Sequence, residues 1–116
     1  MAPLRVAIVG TGNIARVHAR ALAAVTSEAG QADATLAAVM DVDESQLNSF
    51  GAEFGVRETY RHLTDLLGHG RPDLVHLCTP PATHYPLALG CLRAGVSVLV
   101  EKPPTISLRE FDGLAA

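Results

Sequence analysis

The chain has 116 residues, a formal net charge of −3 and 48% hydrophobic residues, with no Trp and few aromatics. That length suits one domain with a true core, and the wealth of Ala, Leu and Val suits layered α/β structure better than an all-β sandwich. An acidic balance gives no basic field for nucleic acid; no apolar run reaches the ~20 residues of a membrane helix, and no signal-peptide cleavage site is visible, so the expected setting is cytoplasmic.

Residues 6–9 form a β-branched-rich run without polar alternation, which predicts a central strand of a parallel sheet. It runs into Gly10-Thr11-Gly12-Asn13-Ile14-Ala15 and then a helical pattern over 13–24. Gly10 permits a sharp turn, and Gly12 lets a diphosphate approach the backbone. The first helical amides favour an anion, and Ala15 permits close helix–strand packing. A glycine turn alone is also a common structural device; strand before, helix after and a second strand ending in an acid make it a dinucleotide-binding fingerprint. The helix is expected to turn Ile14, Val17, Ala21 and Leu22 toward the sheet and Arg16 and Arg20 outward, with His18 a surface or partly packed residue. Residues 26–33, with Gly30, read as a loop.

The second strand, 34–40, terminates at Asp41. An acid there accepts hydrogen bonds from the adenosine ribose and repels a 2′-phosphate. The alternative is a helix cap, but Asp43, followed three residues later by Gln46, is the better cap and leaves Asp41 for the ribose. No Arg or Lys occurs within 41–48, which favours NAD over NADP. A helix over 44–54 ends at Gly55, with Leu47, Phe50 and Phe54 as core; 56–60 can form a brief strand, and 62–67 a short helix closed by Gly68 and Gly70. Neither His62 nor His69 is assigned chemistry.

Residues 72–78 form the next strand, within which His76 reads as packed. It enters Thr79-Pro80-Pro81-Ala82-Thr83-His84, a stiff turn facing the crevice of Gly12 and Asp41 if the sheet is parallel. Thr79 then either bonds the cofactor or belongs to an ordinary proline-rich turn with Thr83 as helix cap. A helix with Pro86 in its first turn runs to about residue 94 and ends at Gly95. The strand 96–100 ends in Glu101-Lys102-Pro103-Pro104, and a Lys there can reach the region of a nicotinamide, donate to a substrate oxygen and favour developing negative charge. An exposed Lys is otherwise a solubilising residue. Cys78 and Cys91 match no metal spacing and read as small apolar residues in a reducing compartment. Ser107 and Glu110 form a capping box for a last helix that the chain does not complete.

Three motifs in order, the glycine turn 10–15, the proline turn 79–84 and Glu101-Lys102-Pro103, resemble the N-terminal half of the Gfo/Idh/MocA oxidoreductases over essentially the whole chain. The resemblance implies a Rossmann-type fold: α/β, doubly wound, a mostly parallel sheet with helices on both faces. It implies NAD or NADP at Gly10, Thr11, Gly12, Asn13 and Ile14, with Asp41 on the ribose and Thr79, Pro80, His84, Glu101 and Lys102 as further cofactor contacts. Lys102 would be the catalytic residue contributed by this half. The principal acid/base and the oligomeric interface would come from a C-terminal domain beyond residue 116, and the substrate would be a sugar or polyol. Pro104 departs from the apolar residue usual at that place. A non-enzymatic dinucleotide sensor is the rival reading, against which Lys102 argues; a methyltransferase lacks the downstream Glu-Lys-Pro.

Overall fold

A computed structural model describes residues 4–29 and 34–100. Five strands, β1 (Leu4–Val9), β2 (Ala34–Met40), β3 (Glu58–Tyr60), β4 (Leu74–Leu77) and β5 (Ser97–Val100), form one sheet in the order β3-β2-β1-β4-β5. Every pairing is parallel, and β1 and β2 keep register except for a shift between Val6 and Ala7. Helices α1 (Asn13–Ala29) and α2 (Glu44–Phe54) cover one face. The short α3 (Leu63–Asp65), running on as a π-helical turn Leu66–Gly70, and α4 (His84–Arg93) cover the other.

The doubly wound expectation thus holds, and the reason lies in β1. Ala7 and Val9 pack with Leu66, Leu77 and Cys91 on one face, while Ile8 packs with Ala15, Ala19, Leu47 and Phe50 on the other. A strand covered on both faces has no polar side, which is why its sequence shows no alternation. Burial pushes the Cys91 thiol up to about 11. Chain order leaves β1 toward β2 and later returns to β4 on its other flank, so the sheet's switch point lies between β1 and β4.

Local signals place the element ends. Asp43 caps α2, accepting a hydrogen bond from the Gln46 amide at 3.1 Å, and Gly55 ends that helix at φ 67°. Other expectations need correction. Helix α1 continues to Ala29 instead of ending near 24, so the loop does not begin at 26; nothing between Thr26 and Ala29 breaks a helix. Its sheet-facing residues are Ala15 and Ala19, while Ile14 and Val17 are 46% and 56% exposed. A helix starting from a glycine turn sits too close to the sheet for large side chains in between, and these move to its flanks. The helix expected over 62–67 is α3 plus the π-helical turn, terminated by Arg71 in the left-handed region at φ 45° and not by a glycine. Thr83 precedes α4 but makes no side-chain capping bond, because its hydroxyl is engaged in the preceding turn. The expected helix after Ser107 lies outside the described residues.

Candidate dinucleotide cleft

At the carboxyl ends of β1, β2 and β4 lies a cavity of about 600 Å³, lined among others by Gly10, Thr11, Gly12, Asp41, Thr79 and Pro80. Residues from three separated stretches meet there because parallel strands end at the same edge. Gly10 opens the turn at φ 94°, with its amide donating to the Met40 carbonyl at 2.8 Å. A Cβ on Gly10 would fall 2.9 Å from the Cys78 carbonyl carbon and oxygen and from Thr79 Cγ2. Gly12 differs: a Cβ there would meet no protein atom within 4 Å. The packing of the chain gives no reason for a bare backbone at Gly12, whereas a diphosphate resting on it does. The Arg16 amide donates to the Gly12 carbonyl at 3.2 Å, and the amides of residues 13–15 precede it in the first turn, where no carbonyl of the helix itself can serve them.

Asp41 is held from two sides. Its Oδ2 accepts from the Thr11 amide at 2.9 Å and from Thr11 Oγ1 at 2.7 Å, and its Oδ1 accepts from the Asp43 amide at 2.8 Å. Its own amide donates to the Tyr60 carbonyl at 3.1 Å. Thr11 is therefore committed: 1% exposed, it donates to Asp41 through both groups, while its carbonyl accepts from Arg16 Nη1 at 3.2 Å. Thr11, which also lines the cleft, thus orients the acid. Arg16 also bonds Glu53 at 3.0 Å and lies 5.6 Å from the Phe50 ring centroid, tying α1 to α2 behind the turn.

The opposite wall is the turn after β4. Thr79 and Pro80 line the cleft, and Thr83 Oγ1 lies 2.6 Å from Thr79 Oγ1 and 2.7 Å from the Pro80 carbonyl. His84 does not reach the cleft surface. His84 is 1% exposed and its Nε2 donates to the Thr79 carbonyl at 2.7 Å, so it braces the turn from within. Met40, Val42, Cys78 and Leu87 supply apolar lining that the motif reading passed over, although each lies at a strand end or within the first turns of α4. A cation was also missed: Arg61, just beyond β3, donates from Nη2 to the Val42 carbonyl at 3.2 Å, beside the acid. Glu101 and Lys102 lie outside the described residues. Away from the cleft, His18 and His76 are both partly buried, with their Nδ1 atoms 2.9 Å apart.

A parallel doubly wound sheet with an open glycine turn and a fixed strand-end acid at its switch point defines a dinucleotide-binding domain. Residues 4–116 match the family described as an oxidoreductase family with an NAD-binding Rossmann fold. The chain belongs to that family, the Gfo/Idh/MocA oxidoreductases, and NAD is its cofactor class. It is 30% identical to the myo-inositol 2-dehydrogenase of Thermotoga maritima over 94% of this chain and 31% of that one. It is 35% identical to the D-glucoside 3-dehydrogenase of Escherichia coli over 90% of this chain and 28% of that one. Among solved structures, the WlbA dehydrogenase from Bordetella pertussis in complex with NADH and UDP-GlcNAcA matches with a TM-score of 0.89 at 27% identity, over 98% of this chain and 34% of that one. The chain thus spans about a third of the length of these relatives. No described helix is long and apolar enough to cross a membrane.

Proposed function

We propose that this chain is the cofactor-holding part of a dehydrogenase that moves a hydride between a nicotinamide and a secondary alcohol carbon of a sugar or polyol. Support for the substrate class comes from the named relatives, which are inositol and glucoside dehydrogenases. Bound NAD would supply the hydride acceptor. Gly12 and the amides of Asn13 and Ile14 hold the diphosphate by contact with bare backbone and by the helix dipole. Asp41, already fixed by Thr11 and the Asp43 amide, accepts from the adenosine ribose hydroxyls. Thr79 and Pro80 bound the other side of the cofactor. By family position Glu101 and Lys102 complete the site, with Lys102 as the catalytic residue beside nicotinamide and substrate. The principal acid/base, substrate selection and self-association belong to a further domain, and the setting is the cytoplasm. On its own this chain binds cofactor without turnover, because reactants held on one side lack the orientation that makes transfer fast.

The observation that carries this reading is the empty space over Gly12 beside a fixed carboxylate. Titration with NADH, followed by nucleotide fluorescence, is expected to saturate. Gly12→Val is expected to weaken NADH at least ~10-fold while leaving the melting temperature within ~3 °C, since its side chain points where no protein atom lies. Equal NADH affinity in Gly12→Val and the parent would overturn the assignment. Turnover of inositol by the chain alone would overturn the division of labour.

A further inference from the structure

A strand-end acid can set cofactor choice by charge alone, yet a carboxylate on a surface loop can rotate toward water and give way to an anion. Here it cannot readily do so. Of its two oxygens, one receives two donors from Thr11 and the other receives the Asp43 amide. The Thr11 side chain is buried, its carbonyl is held by Arg16, and the turn it belongs to is pinned where the Gly10 amide meets the Met40 carbonyl. Every partner that fixes the acid is thus itself fixed. Arg61, which donates to the Val42 carbonyl immediately after Asp41, is paired with Glu44 at 3.8 Å and so brings little net positive charge to this corner. A 2′-phosphate approaching this corner would meet a carboxylate unable to withdraw.

We propose that Thr11 is a specificity-determining residue, whose hydroxyl locks Asp41 against the cleft and so makes the site select a dinucleotide with a free ribose 2′-hydroxyl over one carrying a 2′-phosphate. The proposal rests on the reading of Asp41 as the ribose acid. Thr11 acts through Asp41 without touching the cofactor's ribose, so its signature is a change in discrimination, which a loss of packing alone would not produce. Removing the hydroxyl while keeping its shape takes one of three donors from Asp41 and leaves the Thr11 and Asp43 amides, so the carboxylate is held less firmly: NADH loses part of a well-placed acceptor, and NADPH part of its repulsion.

The test measures dissociation constants for NADH and NADPH by nucleotide fluorescence in the parent chain, Thr11→Val, Thr11→Ala and Thr11→Ser. The parent prefers NADH. Thr11→Val, nearly isosteric, is expected to reduce the NADPH-to-NADH ratio of dissociation constants by about 5–10-fold, less than the full loss of a hydrogen bond to a charged group would give because two amides still hold Asp41. Thr11→Ser, which keeps the hydroxyl, restores most of the parent ratio. Thr11→Ala leaves room instead of filling it, so a folding defect in the valine variant still leaves a ratio to measure. An unchanged ratio in a folded variant lacking the hydroxyl overturns the inference alone. A parent that binds neither nucleotide overturns the reading of the cleft and this inference with it.

Discussion

The two walls of the cleft are held by different means. On the β1–β2 side, backbone bonds between neighbouring strands and turns combine with donors converging on a charged acceptor, Asp41. On the β4 side, the backbone bonds of Cys78 to Val9 and of Thr83 to Pro80 combine with neutral hydroxyl contacts and one buried imidazole, His84, bonded to the Thr79 carbonyl. Hydrogen bonds to a charged group are stronger than neutral ones. The first wall therefore shares its hold among several donors on one carboxylate, whereas in the second His84 is the one buried side chain bonded to the Thr79 carbonyl. The walls meet at Gly10, whose missing side chain lets the Cys78 carbonyl and Thr79 lie against the first turn.

The largest effect should come from that meeting point. Gly10→Ala combines a left-handed φ with a Cβ driven into backbone that cannot step aside, and is expected to cost roughly 2–5 kcal/mol. Thermal unfolding should show a melting temperature lowered by more than ~10 °C, against almost none for Gly12→Val. Unequal responses of two glycines in one motif would show that the first serves the fold and the second the ligand.

Next in size is His84→Leu, which keeps the apolar fill but leaves the Thr79 carbonyl without that donor, costing about 1–3 kcal/mol. It should also weaken NADH binding, because Thr79 and Pro80 lose their backing. His84→Gln, with an amide donor near the Nε2 position, should recover part of both. If His84→Leu melts and binds like the parent, the two walls are not as unequal as described.

The smallest effect concerns the core behind the β4 wall. The Cys91 thiol stands at about 11 against an ordinary value of 9.0, because burial disfavours the thiolate. Below pH 9 both folded and unfolded chains keep the proton and the contribution is complete; from pH 9 toward 11 the unfolded chain releases it first, so stability falls. The parent should lose a few more degrees of melting temperature than Cys91→Ala between pH 8 and about 10.5. An identical loss in both would remove Cys91 as its source.

Sequence alone revealed what depends on short spacing. Gly10 and Gly12 follow an apolar run and open a helix, and Asp43 with Gln46 identifies the cap of α2, which leaves Asp41 for another task. The roles of Thr11 and His84 were not legible in the same way. Thr11 bonds a residue on the next strand, and His84 turns inward to a carbonyl of the preceding turn, so their direction is decided by tertiary approach. The face of α1 failed for a related reason. Periodicity marks Ile14 and Val17 as apolar, but only the closeness of helix to sheet makes Ala15 and Ala19 the residues that fit between them.

The position of β1 in the middle of the sheet has a consequence for how the protein comes into being. Val6 pairs on one flank with Leu36 and on the other with Leu74, so a growing polypeptide that has reached only β3 already carries the glycine turn and its acid partner but no opposing side. The groove closes when β4 docks, a late event linking distant parts of the chain, and loop closure over such separations is slow. A nucleotide that needs both sides would engage only molecules that have finished this step, and its presence would draw maturing chains toward completion by mass action.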